Sequence, residues 1–260
     1  MQLEFIRNAT LKINYGGHLL LIDPYFAPRH SLPSFTGRSP NPMTELPRAI
    51  DDILQGVELV IVSHLHTDHF DSVAKKRVPK GLPLLCQPGD EGSIRETGFA
   101  DVRPQNETTV WQGITITPRQ GSHGLGPVVE KMGHVIGFTL EAAGEPTVYW
   151  AGDTVLYPPV AETIQQVSPD VIITHSCGAR WDGDLIVMDA EQTVALSRLA
   201  PQAIVVATHM EALDHATITR QDLRQAADTA GIDPSRLLIP ADGETLHLEP
   251  VIRSRFAKHD

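Results

Sequence analysis

The chain has 260 residues, 41% of them hydrophobic and 20% charged, with a net charge of −11. That length suits one α/β domain spanning residues 1–260 with no dividing linker, and the acidic balance opposes non-specific attraction to nucleic acid or an anionic membrane. No apolar run approaches the roughly 20 residues a membrane helix needs, and Met1–Arg7 lacks the features of a signal peptide, so the expectation is a cytoplasmic protein with a small-molecule substrate.

Short apolar, β-rich runs begin at once: 3–6, 10–13 and 18–22, with Tyr15-Gly16-Gly17 as a turn signal between the last two. The segment from Asp23 to Pro47 then breaks the pattern. Prolines 24, 28, 33, 40, 42 and 47 forbid a continuous helix or central strand, which predicts a long loop. Loops beyond about 15 residues in a compact domain are commonly functional covers or disordered, and Tyr25, Phe26 and Phe35 give this one apolar material to fold over a pocket, the alternative being a surface or oligomer-contact loop.

Further strand-like runs follow at 57–62, 82–85, 114–117, 135–140, 148–150, 171–174 and 203–207. Helical patterns alternate with the later ones. Asp189–Leu199 opens on a capping aspartate with Gln192 at the capping-box position, and Thr219–Ala230 closes on Gly231. Lys75-Lys76-Arg77 reads as a solvated helix face. Hairpins early and strand–helix alternation late favour two mixed sheets over a doubly wound parallel sheet.

The densest chemistry lies just behind the run ending at Val62. Ser63-His64-Leu65-His66-Thr67-Asp68-His69 packs three imidazoles and a carboxylate into one loop. These are preferred ligands of zinc and similar divalent ions, and alternate positions leaving a strand end can face one cation while the next two reach a second. Other polar residues stand at later strand ends: His123 in Gly121-Ser122-His123-Gly124, Asp153 in Ala151-Gly152-Asp153-Thr154, and His209 after Thr208. His134 competes with His123 for the lone-histidine role, and the glycines flanking His123 favour it by permitting close approach. Cys86 reads as core; Cys177, after His175 and Ser176, reads as a residue near the site mouth, more as a neighbour of the site than as a ligand or nucleophile.

With these residues in order, the chain resembles the metallo-β-lactamase superfamily, whose pattern His-x-His-x-Asp-His, lone His, Gly-Asp and last His is met by His64, His66, Asp68, His69, His123, Asp153 and His209. Leu20-Leu21-Ile22-Asp23-Pro24 and Ala151-Gly152-Asp153-Thr154 are similar to the branch holding bacterial ascorbate-phosphate lactonases and related hydrolases. The resemblance implies a four-layer αββα sandwich with metals at one edge of the sheets. It also implies that His64, His66 and His123 hold the first of two divalent cations, that Asp68, His69 and His209 hold the second, and that Asp153 bridges them. Zinc is the first expectation, with manganese or iron as alternatives. Members of this branch often self-associate, which makes a homo-oligomer compatible with the chain.

Two cations about 3.5–4 Å apart can share a water and lower its pKa to about 7, so a metal-bridging hydroxide is the expected nucleophile. Asp68 is the expected catalytic carboxylate, orienting that hydroxide or taking its proton. His175 is the second expected catalytic residue, donating to a substrate oxyanion or supporting a ligand. Glu211, Asp214 and His215 are candidates to orient His209. The first expectation for function is hydrolysis of a small ester, lactone or amide; a phosphodiesterase and a non-catalytic metal-containing binding protein are the alternatives.

Overall fold

In the computed structural model, residues 1–248 are described. Two seven-stranded sheets face each other. The first runs, in spatial order, β16 (Thr245–His247), β1 (Gln2–Arg7), β2 (Thr10–Tyr15), β3 (His18–Ile22), β4 (Leu59–Val62), β5 (Leu84–Cys86) and β6 (Val102–Pro104). The second runs β15 (Leu237–Leu238), β14 (Ile204–Thr208), β11 (Val171–His175), β10 (Val148–Gly152), β9 (Ile136–Glu141), β8 (Ile114–Gln120) and β7 (Thr109–Trp111). A small hairpin, β12 (Arg180–Trp181) and β13 (Asp184–Leu185), stands apart from both.

Each sheet is antiparallel on one side and parallel on the other. The pairs β3–β4, β4–β5 and β5–β6 are parallel in the first sheet, and β10–β11, β11–β14 and β14–β15 in the second. Parallel strands need crossovers, and these bring helices onto the outer faces. Helices α1 (Ile50–Leu54), α2 (Ser72–Arg77) and α3 (Glu91–Glu96) accompany the first sheet. Helix α4 (Val128–Met132) and the longer α5 (Pro158–Val167), α6 (Ala190–Leu199) and α7 (Arg220–Thr229) accompany the second.

The side-chain period of two divides each strand between layers. Leu59 and Ile61 face the central core with Phe138, Trp150, Val171 and Ile173, while Val60 and Val62 pack outward against Ile53, Ala74 and Ile94. In the second sheet, Tyr149, Ile172 and Val205 turn outward to Val160, Ile164, Val194 and Leu223. Burial on both faces explains why these strands read as unbroken apolar runs, each buried Leu, Ile or Val adding roughly 1.5–3 kcal/mol. This is the expected αββα sandwich.

Capping chemistry sets the helix starts. The Asp189 carboxylate accepts from Gln192 N–H at 3.0 Å, but Gln192 turns its own side chain to Leu156 N–H at 2.8 Å, so that capping box is half-formed. Thr219 and Asp222 complete a full box at α7.

The Pro-rich segment carries no helix or strand, only a bridge from Leu32 to Asn41. Its aromatic residues divide. Tyr25 and Phe26 are fully buried, against the expectation that they cover a pocket; only Phe35 of the three reaches a cavity. Tyr25 packs with Ala27, Ala212 and Leu213, and Phe26 with the outer face of the first sheet, so this part of the loop is core rather than cover.

Candidate metal centre

The carboxyl ends of the parallel strands converge at one rim. Asp23 follows β3, His64 follows β4, Asp153 follows β10, His175 ends β11 and His209 follows β14. His123 arrives from the loop after β8. Gly152, at φ +70°, turns the chain sharply before Asp153, and a Cβ there would lie 2.3 Å from the Trp150 ring. Glycine is required at this step.

Asp153 is the hub. Its Oδ2 lies 3.7 Å from His64 Nε2, 3.1 Å from His69 Nε2 and 3.3 Å from His123 Nε2, while Oδ1 lies 2.6 Å from His175 Nδ1 and 3.7 Å from His209 Nε2. Two donor groups result, each within 4.8 Å: His64, His66, His123 and Asp153, and His69, Asp153, His175 and His209. Asp68 adjoins the second, with Oδ2 at 3.1 Å from His209 Nε2 and 3.5 Å from His69 Nε2.

The outward ring nitrogens are held by a ring of partners. His64 Nδ1 meets Ser63 Oγ at 2.9 Å, His69 Nδ1 meets Asp23 Oδ2 at 2.7 Å, and His123 Nδ1 meets the Ile186 carbonyl at 2.8 Å. His209 Nδ1 meets Cys177 Sγ at 3.5 Å. Such contacts fix ring orientation and leave the Nε2 lone pairs facing inward. Asn8 adds Nδ2 contacts to the Asp68 carbonyl at 2.9 Å and the Asp68 carboxylate at 3.3 Å.

The donor set fits divalent cations. His64 Nε2 is enclosed beside Asp153 yet has no hydrogen-bond partner. Burial and the neighbouring His69 push the His64 ring well below its ordinary value, so it is neutral and its lone pair is available. Around His69 burial opposes the charged ring, but Asp153, Asp68 and Asp23 outweigh it and push the ring up to about 10. That pull is the mark of buried carboxylates short of positive charge, which cations would supply in place of protons.

Several expectations change on inspection. His175 is fully buried behind Asp153 and is not a wall of the cavity, so it has no path to a substrate oxyanion. Burial pushes its ring down to about 4 against the pull of Asp153, which makes it a neutral Nδ1–H donor supporting that carboxylate. Cys177 is also fully buried and stands behind His209 rather than at the mouth. His134 is exposed and meets Gln87 Oε1 at 3.2 Å, away from the cluster that includes His123. Glu211 pairs with Arg220, Asp214 binds the Pro-rich loop and His215 lines the cavity, so the partners of His209 are Cys177, Asp68 and Asn8 instead. Asp23 and Asn8 also belong to the site; the Ile22-Asp23-Pro24 run is a sequence signal for the first, and Asn8 carries none.

A cavity of about 330 Å³ opens onto the cluster, touching His66, Asp68, His123 and Asp153. Its other walls are largely apolar: Phe35, Leu65, Met132, Trp181 and Ile186. Lys131 is the cation at its edge, and its ammonium is paired with Asp182 at 2.6 Å.

Fold and site together define a metal-dependent hydrolase of the αββα kind. A family profile described as a beta-lactamase superfamily domain matches residues 18–210. The UPF0173 protein YddR of Bacillus subtilis is 36% identical over 252 residues, covering 94% of this chain and 99% of its own length. Among solved structures, a possible metal-dependent hydrolase from Veillonella parvula superposes with a TM-score of 0.91 at 36% identity, covering 95% of this chain and 98% of that one. The isothiocyanate hydrolase from Delia radicum gut bacteria gives 0.90 at 35% identity, covering 95% and 99%. The chain belongs to the metallo-β-lactamase superfamily and, within it, to the UPF0173 metal-dependent hydrolases. No helix among the described residues is long and apolar enough to cross a membrane.

Proposed function

We propose that this protein is a binuclear hydrolase of small, uncharged acyl compounds: an ester, lactone or amide. The observation that carries the reading is Asp153, which is common to both donor groups, with Oδ2 beside His64, His69 and His123 and Oδ1 beside His175 and His209. His64, His66, His123 and Asp153 would hold one cation; His69, His209, Asp68 and Asp153 would hold the other, with His175 fixing Asp153 from behind. Zinc suits these ligands, and so do manganese and iron. Bound cations would polarise the substrate's acyl oxygen and acidify a water between them to a pKa of about 7. The Asp68 carboxylate, which lines the cavity, would orient that water or take its proton.

The apolar walls favour a neutral substrate, and the occupied ammonium of Lys131 counts against a phosphodiester. The cavity reaching the donors counts against a purely structural metal. A second reading comes from the isothiocyanate hydrolase 35% identical to this chain: an isothiocyanate presents an electrophilic carbon of similar size to the same groups. Both free cysteines, together with the acidic charge, support a cytoplasmic enzyme acting on a small molecule rather than nucleic acid or membrane.

The test is turnover by the metal-reconstituted protein, with and without EDTA, against lactones and small esters, isothiocyanates and phosphodiesters. EDTA-sensitive turnover in the first panel is expected. Preference for isothiocyanates selects the second reading, and preference for phosphodiesters overturns both.

A further inference from the structure

His215 stands in the wall of the cavity, 8% exposed, and takes no part in holding the cluster. Its ring meets Phe35 edge-on, with centroids 5.0 Å apart and planes at 89°. The Nδ1 atom is enclosed and has no hydrogen-bond partner. The charged and titratable groups that face the ring are Asp68, His209, Asp153 and Asp214. Each is engaged elsewhere: Asp68 and Asp153 with the histidine cluster, His209 with Cys177, and Asp214 with the Pro-rich loop.

An enclosed N–H without an acceptor is rare in folded proteins, so the proton belongs on Nε2, and Nε2–H is the donor the ring can offer. Burial, the dominant influence, pushes the ring down to about 4 and keeps it neutral near pH 7. Its position is fixed on both sides. Asp214, the preceding residue, accepts from Phe35 N–H at 2.9 Å and from Asn41 Nδ2 at 2.9 Å, so Phe35 and His215 are set by one anchor.

We propose that His215 is a substrate-contacting residue, its Nε2–H donating to the acyl oxygen or leaving heteroatom of a neutral substrate whose apolar group lies against Phe35, Trp181 and Ile186. The inference rests on the hydrolytic reading above. It adds a donor from the chain itself, in the same cavity as His66, Asp68 and His123, and assigns specificity to the contact between the Pro-rich loop and the loop after β14.

The experiment compares the metal-loaded wild type with His215→Phe, which keeps a ring against Phe35 and removes the donor, and with His215→Gln, which keeps a donor. His215→Phe is expected to retain metal content and thermal midpoint while kcat/KM for small esters falls about a hundredfold to a thousandfold. His215→Gln is expected to recover part of the loss. Benzamide titrated into the metal-loaded protein should shift the His215 ring resonances. Wild-type turnover by His215→Phe overturns the proposal, and so does loss of metal from it, which would make His215 a ligand. If the wild type shows no EDTA-sensitive turnover, the hydrolytic reading fails by itself, and benzamide decides His215: an unmoved ring signal up to millimolar benzamide overturns the contact.

Discussion

His69 and Asp23 are joined by a 2.7 Å contact from Nδ1 to Oδ2, and both side chains are fully buried. The same carboxylate accepts from Ser63 N–H at 2.7 Å and from Ser63 Oγ at 2.7 Å. Asp23 therefore fixes the start of the His-rich loop and one of its imidazoles together. Its φ of +44° is a conformation that asparagine also tolerates. Asp23→Asn is expected to fold and to bind divalent cation about 10–100-fold more weakly, as loss of an outer partner does elsewhere. Competition with a fluorescent chelator checks this, and unchanged affinity would remove Asp23 from the site.

Cation binding should be visible as stability. A ligand that binds only the folded state at about a thousand times its Kd adds about 4 kcal/mol. The thermal midpoint should rise with added zinc or manganese and fall with EDTA. In His64→Ala and Asp68→Ala the rise should shrink and turnover should be abolished while the circular dichroism spectrum is kept. A midpoint indifferent to both cation and chelator would speak against the centre.

Asp214 predicts a pH response. Burial alone would raise its carboxyl, but hydrogen bonds from Ser34, Thr36, Asn41 and Phe35 N–H outweigh burial and hold it below the usual carboxylate range. Since the folded value lies below the unfolded one, the stabilisation is complete above an unfolded value of about 3.9 and is lost as pH falls through the folded value. Amide exchange across residues 34–41 should thus be equally protected from neutral pH down to about pH 5, apart from the intrinsic rate. Asp214→Ala should remove the protection throughout; retained protection would show that the loop is held by something else.

Gly152→Ala tests how Asp153 is aimed. The added Cβ would meet Trp150 at 2.3 Å in a residue at φ +70°. Left-handed strain and overpacking together predict a loss of about 2–4 kcal/mol in urea unfolding, with weaker cation binding because Asp153 is displaced. A loss below about 0.5 kcal/mol would mean that the β10 turn is softer than its geometry implies.

The sandwich was legible because its central strands are buried on both faces: Leu59–Val62 and Val171–Ile173 are unbroken apolar runs, and the residues that follow them carry the chemistry. The edge strands β6 and β15 escaped because two or three residues, one face half-exposed, hold no period to detect. Helix α5 carries its signal in prolines 158 and 159 at its first turn, where a missing N–H costs nothing. The clustered histidines could be found from spacing, but their partners could not. Asn8 lies 60 residues from Asp68, and Asp23 lies 46 from His69, separations that only the sheet register brings to zero. Tyr25 and Phe35 look alike in a proline-rich stretch, and packing alone sends one inward and the other to the cavity.

Each donor group straddles the sandwich. His64, His66 and His69 come from the first sheet's side, whereas His123, Asp153, His175 and His209 come from the second. Neither half owns a complete coordination set, so chelating power is a property of their union. A cation would act as a rivet through both layers, and anything that loosens the layers would register as leakage of metal before any ligand had been altered.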